Sequence, residues 1–279
     1  MTTRPLVSVD ELSARLDDPS WRVFDCRHDL SNTEYGAQAY LKGHIPDALF
    51  LHCDRDLSGP MTGKNGRHPL PAVAEFAAKM GACGVGSETQ VVAYDNEGGI
   101  FASRLWWMLR WLGHDRVALL DGGLPGWRRA KLPLEVDVRP VAPAQFVPRP
   151  RDIQVDAGYV LSHLRSPDML LLDARGEDRY AGENETLDPV AGHIPGALNR
   201  FYFDNLDDAG CFFKPADELR AEFVDILNGR DPQTVVQQCG SGVTACHNLL
   251  AMELAGLTGS KLYVGSWSEW CSDPSRPVA

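Results

Sequence analysis

Short apolar or β-branched runs punctuate the chain: RVFDC (22–26), QVVAYD (90–95) and VALLD (117–121), then MLLLDA (169–174), TVVQQC (234–239) and KLYVG (261–265). Between them lie longer stretches of helical period, such as PAVAEFAAKMGACG (71–84) and ADELRAEFVDILNG (216–229), in which apolar residues recur every three to four positions. Strands that are apolar throughout, alternating with helices, predict a parallel sheet covered on both faces. Reactive loops in such folds sit at the carboxyl ends of the strands.

The pattern occurs twice. FDCR (24–27) is matched by LDAR (172–175), GHIPDA (43–48) by GHIPGA (192–197), and DGGLPGW (121–127) by VGSWSEW (264–270), in the same order. Two copies of one domain explain all three matches. The stretch Lys131–Asp152 holds five prolines and little periodicity, which reads as a linker. The break falls near residue 145, giving domains at 1–140 and 141–279.

Composition narrows the picture. The 279 residues and 44% hydrophobic content suffice for two ordinary cores. No apolar run approaches the roughly 18 residues of a membrane span, and the N-terminal stretch lacks a leader pattern. Seven cysteines without pairing rhythm or zinc-ligand spacing point to a reducing, cytoplasmic setting. A net charge of −11 argues against nucleic-acid or anionic-membrane partners. Most of the acidic excess lies in the C-terminal half, so an anionic substrate there needs a local positive feature.

The chemistry concentrates in VVQQCGSGVTACHNLLAMELAG, Val235–Gly256. Cys239 ends a strand, and a helix is expected over 243–253. Gly240 and Gly242 are expected to take positive φ in the turn between them. Successive N–H groups would then point at the thiol, with the helix dipole behind them, stabilising a thiolate and an anionic adduct on sulfur. A cysteine buried as a small hydrophobe is the plainer alternative, but a strand-end cysteine followed by Gly-Ser-Gly does not suit it. In the first copy the corresponding position is Asp95, so that half carries the frame without the chemistry.

With its two GHIP-containing copies and the loop CGSGVTAC, the chain resembles the rhodanese superfamily, specifically the tandem-domain sulfurtransferases. The loop is similar to that of the 3-mercaptopyruvate sulfurtransferases; the thiosulfate-preferring members put basic residues after the cysteine. The resemblance implies an α/β fold of two tandem rhodanese-like domains, each a parallel sheet flanked by helices. It also implies a Cys239 persulfide formed from 3-mercaptopyruvate or thiosulfate and passed to cyanide, a small thiol or a protein thiol such as thioredoxin. No metal or organic cofactor is implied.

The resemblance further assigns a proton relay of Ser241 with His68 and Asp54, the last two expected from the N-terminal copy. Gly240, Gly242, Val243 and Thr244 are the expected substrate-binding loop. Arg179 matches one of two arginines that meet the substrate carboxylate; the second is missing, with Asp188 near its place, and Arg200 is the candidate substitute. His44 and His193 occur in both copies and are read as structural, as are Asp25, Asp173, Arg27 and Arg175. Trp106, Trp107 and Trp111 are read as core. Three rival functions remain to be separated: a persulfide carrier of low turnover, a cysteine phosphatase, which lacks its loop arginine here, and a serine hydrolase, which lacks a Gly-x-Ser-x-Gly elbow.

Overall fold

A computed structural model describes residues 4–279. The chain divides into two compact units. Unit 1 comprises the residues up to Gly59, Pro71–Asp152 and Asp208–Phe213, and unit 2 comprises Pro60–Leu70, Ile153–Asp207 and Lys214–Ala279. Two short segments thus depart from any division of the chain at a single point. One of them carries His68 into unit 2.

Unit 1 contains strands β1 (Leu6–Val7), β2 (Trp21–Asp25), β3 (Leu49–Phe50), β4 (Gln90–Tyr94) and β5 (Val117–Leu120), in the order β1-β5-β4-β2-β3. Unit 2 contains β6 (Gln154–Val155), β7 (Leu170–Asp173), β8 (Leu198–Asn199), β9 (Val235–Gln238) and β10 (Lys261–Tyr263), in the order β6-β10-β9-β7-β8. Among the described residues every pairing between these strands is parallel. Each of the six apolar runs is a strand, and the two orders correspond strand for strand. Four further strands of two residues each are too short for any pattern to announce.

Both segments of helical period form helices, at Val73–Ala82 and Ala216–Leu227. Helix Ala102–Trp111 buries Trp106, Trp107 and Trp111 in the core, the last two stacked at 6.1 Å. In each unit the middle strand, β4 or β9, is flanked on both sides, and its carboxyl end carries Asp95 or Cys239.

The repeated motifs build one frame twice. Arg27 binds the Asp25 carboxylate and donates to the Gly43 carbonyl at 2.9 Å; Arg175 binds Asp173 and donates to the Gly192 carbonyl at 2.8 Å. Both pairs are buried. Breaking such a pair would cost about 3–5 kcal/mol because one charge would be left uncompensated. His44 stacks on Tyr40 and His193 on Tyr180, and each imidazole Nδ1 bonds the backbone carbonyl of the tyrosine it covers. Trp127 and Trp270 donate to the carbonyls of Pro133 and Pro277, both at 2.8 Å. These residues hold the strand ends in place.

Candidate active site

β9 delivers Cys239 to the loop, and the loop is shaped by where its carbonyls go. The Cys239 carbonyl accepts from the Trp267 N–H and the Gly240 carbonyl from the Ser268 N–H, each at 2.9 Å. With those carbonyls engaged, the Gly242 N–H donates to the Cys239 sulfur at 3.1 Å. Cys239 is only 2% exposed, yet a backbone donor meets its sulfur, unlike that of a cysteine packed as a hydrophobe.

The expected positive φ holds for Gly242, at 77°, and not for Gly240. Gly240 is needed for room. A Cβ there would lie 2.8 Å from Arg67 Nη2 and 3.4 Å from both Nη atoms of Arg179. At Gly242 a Cβ would run into the Val264 carbonyl oxygen. Gly242→Ala is therefore expected to combine a left-handed penalty of about 1–2 kcal/mol with a backbone clash. A lowered thermal midpoint together with lost turnover is the expected result; an unchanged midpoint would contradict the strain.

The helix begins at Ala245 and runs to Leu254, two residues later than expected. Val243 and Thr244 form its lead-in turn, their carbonyls accepting from Cys246 and His247. Ser266 is a residue that the pattern did not reveal. It has φ of 51°, as does Gly123 at the matching place in unit 1. Its hydroxyl accepts from the Cys239 N–H at 3.1 Å and donates to the Tyr263 carbonyl at 2.9 Å. The serine thus ties the Cys239 backbone to β10 from a conformation that disfavours side chains.

Ser241 Oγ lies 2.7 Å from His68 Nδ1, both residues being 5% exposed. At that distance a proton can move between them, the direction depending on the tautomer. Asp54 belongs to unit 1, where its carboxylate lies 3.7 Å from His28 Nε2. His28, Cys53 and Asp54 bring donor atoms within 4.8 Å of one another. Their separation in sequence hid this grouping, and nothing else among the described residues marks it as a metal centre.

Arg179, on helix Glu177–Tyr180, binds both Glu185 oxygens at 2.8 Å and lies 3.4 Å from Asp188. Burial pushes the Asp188 carboxyl above its usual range, against the pull of Arg67, whose Nη1 binds it. Arg67, passed over in the sequence, therefore stands beside Arg179 at Gly240. The charge reversal at Asp188 was the signal that a cation would be found nearby. Burial works against the charge on Arg175, but Asp173 and then Glu185 outweigh it and raise the guanidinium above its usual range.

Arg200 is not brought to this group. Its guanidinium binds Glu222 at 2.5 Å and Asn205 at 3.0 Å and covers the Phe223 ring. Arg200 holds helix Ala216–Leu227, and the expectation that it replaces the second arginine is corrected.

Unit 1 holds the corresponding loop in a filled state. Asp95 Oδ1 accepts from the Glu97 and Gly99 N–H groups and Oδ2 from those of Phe101 and Ala102, all at 2.9–3.0 Å. Asp95 is fully buried. A carboxylate therefore takes four N–H donors of the loop that follows the middle strand of unit 1.

A profile of the rhodanese-like domain matches residues 8–130 and 156–273. The chain is 47% identical to a probable 3-mercaptopyruvate sulfurtransferase of Pseudomonas aeruginosa, over 100% of its own length and 99% of that protein's. It is 36% identical to a putative thiosulfate sulfurtransferase of Mycobacterium tuberculosis, over 98% and 96% of the two chains. The crystal structure of a 3-mercaptopyruvate sulfurtransferase of Escherichia coli superposes with a TM-score of 0.83 at 33% identity, covering 95% of this chain and 99% of that one. Among the described residues no helix is long and apolar enough to cross a membrane. The chain belongs to the rhodanese-like family, as a tandem two-domain sulfurtransferase.

Proposed function

We propose that Cys239 takes sulfur from 3-mercaptopyruvate, with thiosulfate as the second donor, and carries it as a persulfide to cyanide or to a thiol. The observation that carries this reading is the 2.7 Å contact between Ser241 and His68, two residues along the loop from the sulfur. It gives the loop a proton route, which a thiol donor needs and thiosulfate does not.

The Cys239 thiolate attacks the donor sulfur and the carbon–sulfur bond breaks. Its electron pair goes to the methylene carbon as the enolate of pyruvate. The donor's S–H proton passes through Ser241 and His68 to that carbon, leaving pyruvate and an ionised persulfide. With thiosulfate the sulfur–sulfur bond breaks instead and sulfite leaves. Cyanide then attacks the outer sulfur, thiocyanate departs, and the Cys239 thiolate returns.

In this reading the backbone of Gly240, Gly242, Val243 and Thr244 cradles the anionic adduct, and Arg179 meets the donor carboxylate. Asp54 is the carboxylate assigned to this relay. The copy at 1–140 is the inactive one and that at 141–279 the catalytic one, with His68 joining the latter from segment 60–70. All seven cysteines are unbridged, in keeping with a cytoplasmic setting; a protein thiol such as thioredoxin is a further acceptor in this reading.

The test is direct. Mixed with 3-mercaptopyruvate and no acceptor, the protein is expected to gain the mass of one sulfur atom and to lose it on adding cyanide. Paired kcat/KM values with cyanide as acceptor are expected to favour 3-mercaptopyruvate. Preference for thiosulfate would reassign the donor. Hydrolysis of an aryl phosphate without sulfur loading would favour the phosphatase reading, since Arg67 and Arg179 stand beside the loop.

A further inference from the structure

The donor site, on the reading above, needs to hold an anion beside the Cys239 loop, and net charge does not do it. Arg67, Arg175 and Arg179 are matched there by Asp173, Glu185 and Asp188. Three guanidinium groups face three carboxylates, so an arriving anion meets little net field. What it meets instead are oriented donors.

Arg67 Nη1 is spent on Asp188, and Arg179 Nε and Nη2 are spent on Glu185. Among the described residues neither Arg67 Nη2 nor Arg179 Nη1 donates a hydrogen bond. These two nitrogens are among the three that crowd the missing side chain of Gly240, at 2.8 and 3.4 Å from where its Cβ would stand. The Arg67 and Arg179 side chains keep 25% and 21% of their surface exposed. Glu185 and Asp188 thus hold Arg179 and Arg67 through nitrogens other than Arg179 Nη1 and Arg67 Nη2.

The backbone secures Arg67 as well. Its N–H donates to Ser268 Oγ at 3.0 Å, and the Ser268 N–H in turn holds the Gly240 carbonyl. Ser268 therefore ties the segment bearing Arg67 to the loop bearing Cys239.

We infer that Arg67 is a donor-binding residue: Arg67 Nη2 and Arg179 Nη1 together grip the carboxylate of an α-keto acid donor, with Asp188 serving to aim Arg67. This rests on the donor reading given above. Arg67 and Asp188 act as one unit, in which the positive charge comes from segment 60–70 and its counter-charge from the loop after helix Glu177–Tyr180. The pair selects donors that present a planar, two-oxygen anion.

The alternative is that Arg67 only neutralises the buried Asp188. Two variants and two donors separate the roles. Arg67→Gln, and the double variant Arg67→Gln with Asp188→Asn, are assayed with 3-mercaptopyruvate and with mercaptoacetone, an α-mercaptoketone without a carboxylate. Loss of a charge-assisted contact is expected to raise KM for 3-mercaptopyruvate by about 10- to 100-fold in both variants, with kcat changed by less than about threefold. Mercaptoacetone kinetics are expected to stay as in the wild type.

Recovery of KM in the double variant, or an equal loss with both donors, would overturn the inference in favour of neutralisation alone. A wild-type protein that turns over thiosulfate but not 3-mercaptopyruvate would remove the donor reading itself, an outcome visible before any variant is made.

Discussion

Cys239→Ser is expected to fold normally and to lose sulfur transfer by on the order of 10⁴-fold or more. A serine hydroxyl fits the same space and can accept the Gly242 N–H in place of the sulfur. The backbone ties to Ser266, Trp267 and Ser268 do not involve the side chain. Stability should therefore be retained while the chemistry is lost, because a hydroxyl stays protonated at neutral pH and cannot form a persulfide. Steady-state rates with 3-mercaptopyruvate and cyanide, beside a thermal scan, check both halves. Turnover that survives the substitution would point to Ser241 and His68 as a hydrolytic pair and would remove Cys239 from the reaction.

The second large effect is expected in unit 1. Asp95→Ala leaves four N–H groups without their acceptor, three of them buried (Gly99, Phe101 and Ala102) and one, that of Glu97, partly exposed. Each orphaned donor costs about 1–3 kcal/mol, although neighbouring losses do not simply add. A loss of several kcal/mol is expected, enough to consume much of the stability of an ordinary domain.

Asp95→Asn should do little better. Its oxygen can serve two of the donors, but its NH2 then faces the other two. Burial pushes the Asp95 carboxyl above its usual range while the N–H groups pull it back, and all four contacts are ones that only an acceptor can make. Chemical denaturation of both variants is the measurement; a change below about 1 kcal/mol in Asp95→Ala would mean that water or a shifted loop replaces the carboxylate.

Much of this organisation could be read from the residues alone. The six strands of three to five residues announced themselves because both faces are covered, which leaves an uninterrupted apolar run. The two-residue edge strands did not, since two residues hold no period. Cys239 and Ser241 were legible because the loop's chemistry is contiguous. Arg67 was not, because its meaning depends on a carboxylate 121 residues away.

Gly240 shows a different limit. A glycine kept for positive φ and one kept for lack of a Cβ look alike in sequence, and only the arginine nitrogens beside it tell them apart. Ser266 is hidden for the converse reason: a serine at positive φ violates the local preference that a reader of sequence relies on.

The filled loop of unit 1 bears on the lifetime of what each loop holds. Asp95 brings its negative charge with the polypeptide, so that loop has held the same anion since the chain was made. On the proposed reading the Cys239 loop gains its anion from a donor and gives it up to an acceptor once per cycle. One scaffold thus carries two residence times for the same kind of guest, one as long as the protein lasts and the other as short as a turnover, set by the side chain at the end of the middle strand.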